Sequence, residues 1–443
     1  MSFFGQGGSV RSRSNGRAVM LGGVVVAVLI WGGFAGPVSD CLWDFDTFLR
    51  DRLSLILEPG EEREDLVFLG IDGEGQDLDQ SEIAASRALQ LISQSSSNHA
   101  LDRRVYAELI EKLAAAGAKV IILDVIFVGS SGNGQADREF AETLLRHRDK
   151  VVMAMMLRPS GDGFYDPLSS VQELSLGSQK PGEILHEGYV NLWPDAEDEV
   201  VRRMVYTTSL GELHSGQGVI AEREYESLSA VTARLLGKEV PEGRSPRLRF
   251  ATPVDERASY SAAYAPHSLH SVFVPGQWQK QYGSGTFFRD KVVLVSTATK
   301  KDGDYHPIPG ATIFGGQVHL QALGSWLDGS YWERAPQWVD MLALLAMATL
   351  AVVVGIAFRN PLTILCAALA LSGGFVMVCA WISSASGILF AGTPGLIGLG
   401  MVTICAEIGH LVAKRGGERE EPEGRASEGR KAQDEEESKS LIS

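Results

Sequence analysis

The sequence predicts an α/β domain with a mostly parallel sheet, joined to four transmembrane α-helices. Two observations carry this reading. Short, β-branched apolar runs alternate with helical patterns between residues 66 and 157 in the order β-α-β-α-β, the signature of a parallel sheet with right-handed crossovers. Four windows, 18–36, 338–358, 361–383 and 388–413, carry almost no charge, and each is near the ~20 residues that cross about 30 Å of hydrocarbon.

One apolar window precedes, and three follow, a polar block spanning 37–337. Arg11, Arg13 and Arg17 precede the first window, Arg359 lies between the second and third, and Lys414 and Arg415 follow the fourth. The excess of Lys and Arg on the cytoplasmic side of membrane proteins places these sites, and with them both termini, in the cytoplasm. The block is then extracytoplasmic, and the expected location is the inner membrane of a bacterium, with the lipid bilayer as a partner. Ala35-Gly36-Pro37 is a poor cleavage site, so the first window reads as an anchor rather than a removed signal. Residues 1–17 and 414–443 are polar and rich in Gly, Ser, Arg or Glu, which predicts disordered cytoplasmic ends. The net charge of −15 argues against a nucleic-acid partner. Cys41 is the one cysteine in the block, so its core must hold without an internal disulfide.

Within the block, Leu42, Phe45, Leu49 and Leu53 fit a juxtamembrane helix. Leu66–Asp72 reads as the first strand, and 81–91 as a short helix in a polar loop. Tyr106, Leu109, Ile110 and Leu113 mark a helix that Gly117 stops. Val120 to Ile126 is the central strand, apolar throughout except for Asp124, and therefore covered on both faces. A glycine-rich loop (129–134), a helix (137–148) and a strand (151–157) follow. In the middle, 189–192 and 204–206 are expected to be strands of an antiparallel addition, and 225–236 a helix. Lys291–Ser296 is the last strand, and Gln317–Leu327 the last helix.

Three carboxylates, Asp72, Asp124 and Asp304, end or follow predicted strands. Ligands of open parallel sheets bind outside the carboxyl ends of the strands. If these strands are neighbours, the three meet in one crevice suited to a cationic or hydroxylated ligand, or to a hard cation. The plainer alternative is that each caps a turn. Arg103 or Arg104, at the start of the second helix, is placed to pair with Asp72 or Asp124. Gly129, Gly132 and Gly134 precede a helix and offer a weak anion cradle. Neither His267 with His270 nor His306 with His319 sits in a metal-ligand set, and no nucleophile elbow, zincin or P-loop sequence occurs. No metal and no cofactor is expected.

Ordered motifs then resemble a known family. Arg103-Arg104-Val105-Tyr106 through Leu113, Gly117 to Ile121 and Asp124 to Phe127 resemble the core of the type-two CHASE domain. Asp137 with Phe140, Gly188 to Asn191, Asp195, Val200 to Arg203, Phe288 to Val295, Asp304, His306-Pro307 and Gly316 to His319 follow in the family's order. The resemblance covers about residues 40–336. The Trp-Pro-rich approach to the first arginine is missing, Ser296 stands where glycine is usual, and 247–275 has no clear counterpart. The resemblance implies an extracytoplasmic sensor, and the expected ligand-binding set is Asp72, Arg103, Asp124, Asp304 and His306. Such domains usually carry a cytoplasmic output domain. Residues 414–443 contain none, so the expectation is a signal-receiving protein, not an enzyme, that acts through a separate cytoplasmic or membrane effector. A homodimer suits a receptor, although no heptad pattern specifies one. An envelope scaffold and a metal-assisted extracytoplasmic hydrolase are the alternatives.

Overall fold

The computed structural model describes residues 60–390, except 74–77, 96–100, 161–164, 175–184, 214–222, 240–244, 252–262, 300–303 and 359, together with 47–49, 51–52, 395–396, 399–400 and 403–404. The chain forms two compact units, one of Glu58–Glu333 and one of Met1–Leu57 with Arg334–Ser443.

In the first unit the elements run β1 (Leu66–Ile71), α1 (Gln80–Ile83), α2 (Arg87–Gln94), α3 (Arg103–Ala115), β2 (Val120–Leu123), α4 (Gly134–Arg146), β3 (Val151–Pro159), β4 (Tyr165–Ser169), α5 (Ser170–Glu173) and β5 (His186–Tyr189). They continue through β6 (Thr207–Ser209), α6 (Leu210–Leu213), β7 (Glu224–Glu226), α7 (Leu228–Leu235), β8 (Arg247–Leu248), β9 (His267–Ser268), α8 (Pro275–Lys280), β10 (Val292–Thr297), β11 (Tyr305–Ile308), β12 (Ala311–Phe314), α9 (Gly315–Asp328) and β13 (Tyr331–Arg334). The main sheet has the order β4-β3-β2-β10-β1-β9, with β5 also on β3. Every pairing in it is parallel except that of β4 with β3. The last long strand, β10, is inserted between the first two.

Strand alternation divides the core. Val67, Leu69, Ile71, Ile121, Leu123, Val293 and Val295 point to one face and pack with Tyr106, Leu109, Ile110 and Leu113 of α3 and Phe140 and Leu144 of α4. Leu66, Phe68, Val120, Ile122, Val292 and Leu294 point to the other and pack with Leu228 and Val231 of α7 and Leu320 and Leu323 of α9. Both faces are covered, which is why β2 is apolar at every position. Gly117, at φ 86°, ends the approach from α3 and turns the chain into β2.

The middle of the chain departs from the sequence expectation. Residues 186–189, not 189–192, form the strand, and it adds in parallel. Residues 204–206 are not a strand, and 224–226 are a short strand ahead of α7 rather than part of the helix. Side-chain bonds organise this region in place of a ladder. Asn191 brackets Leu157, with Oδ1 accepting from its N–H and Nδ2 donating to its carbonyl, both at 2.7 Å. The Tyr189 hydroxyl donates to the Val205 carbonyl at 2.6 Å. Buried Arg202 pairs with Asp195 at 2.8 Å.

The second unit contains α10 (Gln337–Ala357), α11 (Pro361–Ser386) and a two-residue strand, Ile388–Leu389. Asn360 caps α11 by accepting from Leu362 N–H, and Gly387 closes it at φ 69°. Leu362–Ser386 is long and apolar enough to cross a membrane, and Met341–Gly355 is a shorter apolar stretch of α10. The expected span 18–36 lies outside the described residues. The expected span 388–413 opens instead with the two-residue strand and a non-helical Phe390, and of the rest only 395–396, 399–400 and 403–404 are described, all helical.

Candidate functional site

The carboxyl ends of β2 and β10 meet the start of α9, and polar side chains collect there. Alternation that points Val120 and Ile122 toward α9 continues one step to Asp124, as Val292 and Leu294 continue to Ser296. The Asp124 backbone N–H donates to the Val295 carbonyl at 2.9 Å, so the two ends stay in register. Ser296, almost fully buried, hydrogen-bonds the Asp124 side chain.

A hairpin brings in the next residues. β11 and β12 pair antiparallel around Pro309-Gly310, with Gly310 at φ 80°. Asp304 leads into β11, and His306 lies two residues on, the spacing that puts both on one side of a strand. His306 Nε2 lies 3.0 Å from Asp304 Oδ1. The Thr297 hydroxyl reaches Asp304 Oδ2 at 3.5 Å, and Gly315 N–H donates to the Asp304 carbonyl at 3.2 Å. Two glycines open α9 because no side chain fits there. A Cβ on Gly315 would stand 2.2 Å from Asp304 Oδ1, and one on Gly316 would stand 3.0 Å from Ser296 Cβ and 3.1 Å from Phe68 Cε2. His319, four residues after Gly315, shares that face of the helix. It is 3% exposed. One side of its ring bonds the Val190 backbone, while Nδ1 has no hydrogen-bond partner.

The electrostatics follow from this packing. Burial, reinforced by the Asp304 charge, pushes Asp124 up to about 7, against the opposing pull of the Ser296 hydrogen bond and of His306. Burial pushes His319 down to about 4, with Asp304 pulling the other way. The site therefore sets Asp124, whose ionised form burial and the Asp304 charge oppose, beside a buried imidazole with a bare ring nitrogen. Among the described residues, no three His, Cys, Asp or Glu side chains are grouped to hold a metal ion.

Of the expected ligand set, Asp124, Asp304 and His306 come together. Asp72 ends β1, on the far side of β10, and the charges acting on Asp124 and His319 come from Asp304 and His306 instead. Arg103 is elsewhere. It is on α3, against the opposite face of the sheet, where it donates to Asp137 Oδ1 at 2.8 Å and to the Gly129 carbonyl at 2.6 Å. The expected pairing with Asp72 or Asp124 gives way to a tie between the loop after β2 and the start of α4. Arg104 pairs with Asp102, the residue that caps its own helix, at 2.6 Å. The glycine loop is likewise filled from within, since Ser130 and Ser131 donate to Asp137. Ser296 and His319 are the members absent from the expected set. The sequence signal for His319 was its distance of four residues from a Gly-Gly helix start.

The family model of the CHASE2 domain matches residues 23–357, more than half of the chain. Among curated proteins and among solved structures, nothing matches.

Proposed function

The chain belongs to the CHASE2 domain family, whose members are extracytoplasmic sensory domains, and from that premise we propose that it is a membrane-anchored receptor. In this reading four spans hold the domain outside the bacterial inner membrane, with both termini in the cytoplasm. The protein is not an enzyme. It receives a ligand at the Asp124–Asp304 cluster and passes the change to a separate effector. The observation that carries the reading is the pairing of two mutually repelling carboxylates with a buried, bare imidazole nitrogen at the carboxyl edge of a parallel sheet. That arrangement leaves interactions unmade until a ligand arrives, and a ligand that completes one state in preference to another shifts the population. The positive-inside pattern of Arg11, Arg13, Arg17, Arg359, Lys414 and Arg415 supports the topology.

The test is crosslinking in native membranes from probes at residues 340–413, followed by identification of the captured proteins. The expected result is capture of an effector, with a crosslink pattern that changes in Asp124→Asn and Asp304→Asn proteins of normal thermal stability. Unchanged patterns in folded variants would leave the domain as a scaffold and sink the receptor reading.

A further inference from the structure

We propose that Asp124, Asp304 and His319 form a receptor site for a small protonated amine, with the ammonium group between the two carboxylates and one N–H donated to His319 Nδ1. The inference deepens the receptor reading and rests on it for its consequence in the cell, though not for the binding itself.

The acceptors of the site outnumber its donors: the buried Nδ1 of His319 has no partner, and the carboxylates of Asp124 and Asp304 can each accept more hydrogen bonds than the one from Ser296 and the two from Thr297 and His306. The donors already present are spoken for. Ser296 serves Asp124, while Thr297 and His306 serve Asp304. The complement of clustered acceptors with surplus negative charge is a cation rich in N–H donors. A proton meets the charge requirement in part, by residing on Asp124, but leaves Nδ1 bare.

A metal ion fits less well. Ligands of Mg²⁺ or Zn²⁺ must converge to about 2.0–2.3 Å, whereas N–H donors serve oxygens at about 2.7–2.9 Å and in tetrahedrally spread directions. Among the described residues no three His, Cys, Asp or Glu side chains stand close enough to ligate one metal ion, and the longer N–H contacts of an amine span a wider cluster. The Asp304 and His306 side chains, 36% and 29% exposed, give the cluster an open side, while His319 is buried. Gly315 and Gly316 leave the helix start without side chains, and so leave Asp304 room to lie against it.

Binding must displace the Asp124 proton. The groups that act on Asp124 are Ser296 on β10 and Asp304 and His306 before and on β11; the same Asp304 and His306 act on His319 of α9, while Asp72 ends β1 beyond β10. Affinity for an amine should therefore rise as the solution passes from about pH 6 to about pH 8, while the amine itself stays protonated.

The experiment uses the full chain in nanodiscs and titration calorimetry with methylammonium chloride, in buffers of different ionisation enthalpy. Tetramethylammonium chloride, which has no N–H, and sodium chloride are the comparisons. The expected result is saturable methylammonium binding that tightens with pH and releases a fraction of a proton near pH 7, with no binding of tetramethylammonium. Asp124→Asn should weaken it about ten-fold or more and abolish the proton release. Equal responses to all three salts, no saturable binding, or unaltered binding in Asp124→Asn would overturn the proposal. If Asp124→Asn does not fold, the pH trend and the methylammonium–tetramethylammonium contrast in the unmodified protein decide it. Amine binding without a change in the membrane crosslinks would keep the site and remove the receptor reading. Crosslinks that respond to another stimulus, with no amine binding, would do the reverse.

Discussion

His306 Nε2 and Asp304 Oδ1 lie 3.0 Å apart at the open side of the cluster, and the contact ties the β11–β12 hairpin to the charge that acts on Asp124. Both side chains are partly solvated, so the pair itself contributes at most about 1 kcal/mol to stability. Its electrostatic effect reaches further. His306→Phe should leave the thermal midpoint nearly unchanged and move Asp124 protonation to higher pH, since His306 pulls Asp124 downward. Infrared difference spectra of the carboxylic C=O band, taken against Asp124→Asn, would measure that midpoint. A midpoint that stays put or falls would refute the coupling.

The pH dependence of stability has a definite sign. Asp124 is raised to about 7 in the fold, so its contribution is complete below the ordinary carboxylate range and is lost as pH rises through about 7. His319 is lowered to about 4, so its contribution is complete above the ordinary histidine value and is lost as pH falls through about 4. Between these limits the two slopes oppose each other, each approaching about 1.4 kcal/mol per pH unit. The unmodified protein should show little net slope from this pair between about pH 4.5 and pH 6.5, then lose stability toward about pH 7.5. Asp124→Asn should instead gain stability as pH rises through the lower window. Urea unfolding at a series of pH values measures both, and parallel curves for the two proteins would contradict the assignment.

Gly315→Ala should cost about 1–3 kcal/mol, because the new methyl group meets the Asp304 carboxylate rather than empty space. The damage should be local, with Asp304 displaced and the Asp124 midpoint altered. Gly329→Ala offers a contrast. That residue sits at φ 63° with no neighbouring atom near its absent Cβ, so its cost comes from backbone strain alone and should leave the Asp124 midpoint untouched.

Arg103→Met should destabilise the domain by about 3–5 kcal/mol, since it leaves Asp137 and the Gly129 carbonyl without their buried partner. Hydrogen exchange should quicken in residues 127–137, while Asp124 keeps its protonation midpoint. A shifted midpoint would show that Arg103 reaches the cluster after all.

The parts of the fold legible in the sequence are those governed by local pattern. Val120–Leu123 reads as a central strand because burial on both faces removes polar residues from every position. Asp124 and Asp304 are legible as site residues from the strand-end rule, but the insertion of β10 between β1 and β2 is a non-local choice that no periodicity records. Arg103 misleads because its partner, Asp137, lies 34 positions away on another helix. His319 reads as one of several polar residues in α9, with Gln317, Gln321 and Ser325, and only the register of that helix against Ser296 sets it apart. The strands between 186 and 226 are three or four residues long and are held by Asn191, Tyr189 and Arg202 rather than by alternation. Gly188 shows the same difficulty. Its sequence context offers no turn, yet a Cβ there would stand 2.7 Å from Leu228 Cα.

Met155 of β3 pairs with Tyr189 of β5 and with Ser169 of β4. A strand residue has one neighbour on each edge, and Leu157 gives its N–H and carbonyl to Asn191 on the β5 side, so β5 and β4 flank β3 on opposite edges. β4 carries Pro167, which has no N–H to offer a further strand; β5 is four residues long and is already bridged to Ser227 through Tyr189; and at the opposite border β9 is only two residues long. Among the described residues, neither border offers a long, regular row of peptide groups for a neighbouring molecule to extend. Copies of this domain that associate should therefore meet through helical faces, and growth into open-ended ribbons by sheet continuation is blocked at both margins.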